Sequence, residues 1–271
     1  MRTAEEIRHH YDVERGLADR LRTATPAERA TLYGEVYNEL FRRVPNHPQM
    51  TRKGSPAEQG VAVAERMALL GRFLLQDATF LEIGAGDGCL SREVAAQVAA
   101  CYALDVSSEI LSARVLPNMK LLLSDGRTID LPGGSIDIAY SYQVIEHIHP
   151  DDAMAQLQEI HRVLSPGGAY LCVTPNRLNG PHDVSQFFDD EATGFHLREY
   201  TWTGLAALFQ SVGFRSVSCW VGFRGRYFRV PLSLLTLMES MVGVLPGKVR
   251  RLLGRYPGLQ NLLFISLCAR K

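Results

Sequence analysis

The sequence predicts an α/β fold in which a mostly parallel sheet is covered by helices on both faces and preceded by a helical cap. Three observations predict it. From Ala78 onward, short apolar runs of strand length alternate with helical stretches. The first of those runs ends in a glycine-rich turn that leads into a helix. Before Ala78 there are helical spacings and helix-start signals instead.

Taken in order, residues 5–21 have helical spacing, with Ile7, Tyr11, Leu17 and Leu21 recurring on one side. Thr25-Pro26-Ala27-Glu28 is a capping box with proline at the first helical position, and it starts a helix through about Arg43. Ser55-Pro56-Ala57-Glu58 repeats the device for a helix ending near Leu75, with Val44-Pro45-Asn46-His47-Pro48 as a breaker between the two. Each helix needs a partner to bury its stripe, so residues 1–75 read as a cap or lid on a main domain at 76–271. Strand-length runs follow at 80–83, 102–106, 120–123, 136–140 and 169–173, with the clearest intervening helix at 151–164. A loop over 175–200, a helix opening at Thr201, a strand at 214–221, a helical insertion at about 222–260 and a last strand at 262–269 complete the chain.

Composition narrows the class. Hydrophobic residues make up 46% of 271 and charged residues 21%, as in an ordinary globular protein with a sizeable core. Lys+Arg and Asp+Glu balance at 29 each, so net charge predicts no polyanionic partner, and a nucleic-acid role would need a local basic patch. The five cysteines are scattered with no CxxC pair, which disfavours a disulfide framework or zinc site and fits a reducing compartment. The N-terminus is charged and has no apolar signal region; the longest apolar stretch, 230–244, is short and contains Glu239. The expectation is a cytoplasmic protein without a transmembrane segment.

The chemistry is concentrated in Phe80-Leu81-Glu82-Ile83-Gly84-Ala85-Gly86-Asp87-Gly88. Glycines let the backbone adopt positive φ and approach a ligand. A dinucleotide-binding turn wants a glycine at the sixth position for close helix packing, but here that position is Cys89. Asp105 ends the second run, where a carboxylate can accept from both hydroxyls of a ribose. Asp125, in Ser124-Asp125-Gly126, ends the third and adds an acceptor at the strand ends, or else forms the turn there.

With these motifs, Val144-Ile145-Glu146-His147-Ile148 and Leu164-Ser165-Pro166-Gly167-Gly168, the chain resembles the class I S-adenosylmethionine-dependent methyltransferases, in the type 11 branch that includes ubiquinone-biosynthesis enzymes. The resemblance implies a Rossmann-like seven-stranded sheet with an antiparallel last strand. It also implies S-adenosylmethionine as cofactor, with Glu82 and Ala85 among the binding residues, the turn at Gly84 and Gly86 against its methionine part and Asp105 on the ribose. Val106 would lie against the adenine, Asp125 and Gly126 beside the adenine amino group, and Gln143 toward the amino-acid end. A nicotinamide-dependent oxidoreductase is the other reading of the glycine turn.

Glu146 and His147 fall where an acceptor would sit. In metal-dependent relatives, Glu-x-x-Glu-His and a later histidine bind a divalent ion; here Gln143 replaces the first glutamate, and a neutral amide is a poorer ligand for a hard cation. Glu146, His147 and His196 are therefore metal candidates, while His147 and His196 are also candidates for proton transfer. The acceptor expected is a small molecule, with O-methylation favoured. The alternatives are a metal-dependent RNA 2′-O-methyltransferase and a catalytically silent cofactor-binding subunit. Tyr11, Tyr33, Tyr37 and Phe41 are candidates for shaping the acceptor pocket, while Phe187 and Phe188 read either as lining it or as anchoring their loop to the core. Arg224, Arg226, Arg229, Lys248, Arg250, Arg251 and Arg255 flank the apolar stretch 232–245, with Glu239 the one acid. This segment reads either as a site for an anionic or lipid-linked acceptor or a membrane surface, or as a solvated helix with a packed apolar side.

Overall fold

A computed structural model describes residues 2–53, 56–107, 115–256 and 259–271. Four helices come first: α1 (Ala4–Thr23), α2 (Pro26–Arg43), α3 (Pro48–Lys53) and α4 (Pro56–Leu70). Capping boxes begin two of them, Thr3 with Glu6 on α1 and Thr25 with Glu28 on α2. Ser55, expected to cap α4, lies outside the described residues.

The sheet is built from β1 (Thr79–Ile83), β2 (Ala100–Asp105), β3 (Met119–Leu123), β4 (Ile136–Tyr142), β5 (Leu164–Pro175), β6 (Ser216–Phe223), β7 (Arg226–Val230) and β8 (Phe264–Arg270). Helices α5 (Cys89–Ala95), α6 (Pro150–Val163), α7 (Trp202–Val212), α8 (Leu232–Gly243) and α9 (Gly247–Gly254) lie between them in sequence. The spatial order is β3-β2-β1-β4-β5-β8-β6-β7. Strands β1 to β5 pair in parallel, whereas β8 runs antiparallel to β5 and β6. The antiparallel last strand is thus present, and the sheet has one strand more than the seven expected. The extra strand is β7, which folds back on β6 through Arg224-Gly225, both at positive φ. The segment at 222–260 therefore holds a hairpin arm before its two helices; Arg226-Tyr227-Phe228-Arg229-Val230 is mostly exposed at a sheet edge and lacks the apolar run that marks a buried strand.

Period-two alternation sends neighbouring side chains to opposite faces, and both faces are buried. On β1, Leu81 and Ile83 join a core with α1, α2, α6 and α7, while Phe80 joins a second core with α4 and α5. α2 is locked to α6 by a buried Arg29–Asp152 ion pair, to which the Tyr33 hydroxyl adds a hydrogen bond at 2.9 Å. All five cysteines are free thiols. Among the described residues, no helix is long and apolar enough to cross a membrane.

Candidate active-site cleft

The turn leaving β1 needs its glycines. Gly84, Gly86 and Gly88 have φ of +70°, +56° and +67°, which L side chains rarely adopt. At Gly84 a Cβ would also stand 2.4 Å from Val144 Cγ2. The turn is tied to the end of β2: the Gly84 and Ala85 N–H groups donate to Leu104 O at 2.8 and 3.0 Å. Gly86 N–H donates to Asp105 Oδ2 at 2.8 Å, and Ser107 N–H donates to Oδ1 at 3.0 Å. One carboxylate thereby fixes two loops.

A cleft of about 360 Å³ opens at the carboxyl ends of β1, β2 and β4, in the size range of small-molecule sites. Gly84, Ala85, Gly86, Asp105, Val106, Gly126, Gln143 and His147 line it together. Gln143 holds a left-handed φ of +55°, a cost of about 1–3 kcal/mol for a non-glycine residue, and its N–H donates to Val173 O at 2.8 Å. Strain of this kind gathers at functional positions.

Of the residues nominated from sequence, Glu82, Asp125, Glu146, His196, Tyr11, Phe41, Phe187 and Phe188 stand outside the lining. Glu82 is buried beneath the turn, where the Ser91 hydroxyl donates to it and burial pushes its carboxyl up to about 7. Asp125 aims Oδ1 into its own loop, accepting from the N–H groups of Arg127 and Thr128 at 2.9 and 2.7 Å and from the Thr128 hydroxyl. Burial opposes ionisation there, but those bonds outweigh it and lower the carboxyl pKa. Its neighbours Ser124 and Gly126 face the cleft instead. Tyr11 is drawn away by a hydrogen bond to Asp189 at 2.7 Å and by Phe188 packing on its ring, so Phe188 anchors its loop to α1.

At the acceptor end, His147 Nδ1 lies 3.0 Å from Phe195 O. A carbonyl only accepts, so Nδ1 carries the proton and Nε2 the lone pair. Burial, and then the nearby His196, hold the His147 pKa well below the usual value. His196, buried behind it with ring centroids 4.7 Å apart, is the opposite case. Burial works to lower its pKa, but a 2.7 Å bond to Glu199 and the carboxylates of Glu146, Glu199 and Asp183 raise it to about 9. Glu146 is fully buried and pushed to about 7 by burial; Oε2 accepts from Thr174, while Oε1 is buried without a hydrogen-bond partner. Glu146, His147 and His196 each offer one donor atom, all within 4.8 Å of one another, so they fit a divalent cation as a three-ligand set.

A second buried trio, His10, Glu14 and His47, has similar spacing. Arg2 can only donate, so His10 Nδ1 accepts from it at 2.8 Å and the His10 Nε2–H donates to Glu14 at 2.8 Å. Glu14 in turn accepts from Phe195 N–H at 2.9 Å, fastening α1 to the loop that carries His196.

Sequence reasoning named Tyr33 and Tyr37 of α2 among the pocket aromatics, and both line the cleft. It missed Gln59 and Arg66 of α4, Tyr142 and Gln156. The α4 residues read as an ordinary solvated helix face. Gln156 did carry a signal: with Asp152 it puts polar side chains four apart on the buried side of α6, and its Nε2 donates to Gly126 O at 2.8 Å.

Residues 81–172 match the family model described as a methyltransferase domain. A probable S-adenosylmethionine-dependent methyltransferase of Mycolicibacterium smegmatis is 32% identical over 49% of this chain and 51% of its own length. A ubiquinone biosynthesis O-methyltransferase of Parvibaculum lavamentivorans is 34% identical over 40% of this chain and 44% of its own. The chain thus spans about half the length of the curated relatives it matches. Among solved structures, an S-adenosylmethionine-dependent methyltransferase from Mesorhizobium loti shares the fold with a TM-score of 0.52 at 17% identity, over 77% of this chain and 98% of that one. Strand order, glycine turn and family match agree: residues 81–172 form a methyltransferase domain, in a fold shared with S-adenosylmethionine-dependent methyltransferases.

Proposed function

We propose that this protein transfers a methyl group from S-adenosylmethionine to a hydroxyl oxygen of a small-molecule acceptor, one that is anionic or lipid-linked. The observation that carries the reading is the joining of the glycine turn, Asp105 and His147 in one cleft.

S-adenosylmethionine supplies a sulfonium-activated methyl group and a neutral thioether as leaving group. The chain's task is to position and exclude water, which is where most of the gain of such a site arises. Gly84, Ala85 and Gly86 let the backbone approach the methionine part. A carboxylate has about four acceptor positions, so Asp105 can hold the turn and accept from a ribose diol. Val106 offers an apolar surface to the adenine, and Asp125 shapes the loop that presents Ser124 and Gly126. His147, neutral and with its Nε2 lone pair unprotonated, takes the acceptor's hydroxyl proton.

Calorimetric titration with S-adenosylhomocysteine and NADH tests the cofactor, using wild type, Asp105→Ala and the milder Asp105→Asn. Saturable binding of the homocysteine form alone, weakened in both variants, is expected; preference for NADH would sink the reading. The acceptor screen follows, with radiolabelled methyl as readout.

A second reading is favoured by the unpartnered Glu146 Oε1. In it, Glu146, His147 and His196 hold a divalent cation, which would stabilise the acceptor as an alkoxide. Activity abolished by chelation and restored by one divalent metal would select it over His147 as base.

A further inference from the structure

The insertion after β6 is folded inside out for a protein surface. On α8, Leu235 and Glu239 are buried, while Leu234, Leu237, Met241 and the C-cap residue Val244 are 55%, 55%, 58% and 83% exposed. Their spacing of three, four and three residues makes one continuous apolar stripe, and it faces outward. α9 repeats the arrangement with Val249 and Leu252 exposed and no residue buried, and Tyr256 just beyond its end is exposed as well. The β6–β7 hairpin adds exposed Phe223 and Phe228. A solvated helix with a packed apolar side would show the reverse.

Charge says what covers this surface. The stretch from Gly222 to Gln260 contains seven of the chain's 29 basic residues and a single acid, Glu239. That acid is withdrawn from the surface, because its carboxylate accepts from the N–H groups of Trp202 and Thr203. The rest of the chain therefore carries the compensating surplus of acids. A symmetric contact with a second copy would set this basic patch against itself. An anionic lipid surface instead offers apolar depth to the stripes and phosphate to the arginines.

We propose that α8, α9 and the β6–β7 hairpin form a docking surface for an anionic phospholipid bilayer. Both helices pack on the Arg177–Asn179 turn, just beyond the carboxyl end of β5, the end of the sheet where the cleft opens. Arg251 also pairs with Asp190 at 2.9 Å, tying α9 to the loop that carries His196. Docking thus holds the cleft beside the lipid headgroups.

The test is flotation of the full chain with phosphatidylcholine vesicles, with and without phosphatidylglycerol, at low and high salt. Binding is expected only to the anionic vesicles and should weaken with salt. The double variant Leu237→Glu/Met241→Glu, at solvent-exposed positions, should lower partitioning at least about tenfold, and Arg224→Gln or Arg226→Gln about fivefold each. Unchanged circular dichroism and S-adenosylhomocysteine affinity show that these variants fold. No flotation with anionic vesicles at low salt, or flotation indifferent to the double variant, overturns the proposal. So does a dimer by light scattering that the double variant dissociates without any vesicle binding. None of these readouts depends on methyl transfer, so the proposal and the proposed activity fail separately.

Discussion

Arg29 of α2 and Asp152 of α6 form a buried ion pair, with Nε 2.5 Å from Oδ2 and Nη2 3.2 Å from Oδ1. Asp152 also accepts from Tyr33, whose oxygen accepts the His149 N–H at 2.9 Å. The pair therefore sets where α2 presents Tyr33 and Tyr37 to the cleft. Removing one partner strands the other charge in the core. Asp152→Ala should cost about 3–5 kcal/mol in urea denaturation, whereas Arg29→Met/Asp152→Leu together should recover most of it. A loss in the double variant equal to the sum of the two single-variant losses would show that Arg29 and Asp152 do not act as a pair.

Gly84→Ala combines positive φ with a Cβ placed 2.4 Å from Val144. We expect at least a tenfold loss of S-adenosylhomocysteine affinity, roughly the 1–3 kcal/mol of one strained residue. Val144→Ala in the same chain should recover only part, because it relieves the contact and not the dihedral. Full recovery by calorimetry would assign the whole effect to sterics.

Glu82 contributes a pH dependence of definite sign. Burial raises its folded pKa from 4.5 to about 7, so the fold prefers the neutral form. Its contribution is intact below pH 4.5 and declines as pH rises toward 7, because the unfolded chain ionises first. Glu82→Gln keeps an acceptor for Ser91 and removes this loss. The stability gap between variant and wild type should be small at pH 4.5 and grow to a few kcal/mol by pH 7.5. A constant gap across that range in denaturant titrations would show that Glu82 is ionised in the fold.

His147→Ala should lower kcat by about 10²–10⁴-fold with little change in S-adenosylhomocysteine affinity, as for a general base. Single-turnover kinetics with the identified acceptor measure this. An unchanged kcat would leave positioning alone as the source of rate.

Much of the sheet was legible because parallel strands buried on both faces are nearly continuous apolar runs, as at Phe80–Leu81 and Ala139–Tyr140. The glycine turn and Asp105 were legible because positive φ and close backbone approach restrict residue type. The edge strand β7 was not, since Arg226-Tyr227-Phe228-Arg229-Val230 is mostly exposed and carries no continuous apolar run. Asp125 shows another limit: sequence gives an acid at the strand end but not the direction of its carboxylate, which local N–H donors decide. The protonation contrast between His147 and His196 depends on Glu199, Asp183 and Phe195, which only folding brings to them.

Glu239 reaches from α8 to the first turn of α7, where its two oxygens take the N–H groups of Trp202 and Thr203 and the Thr203 hydroxyl. The segment with the most exposed apolar surface thus also secures the start of a core helix. A chimera that swaps it for a relative's segment must import a replacement cap, or α7 begins with stranded donors.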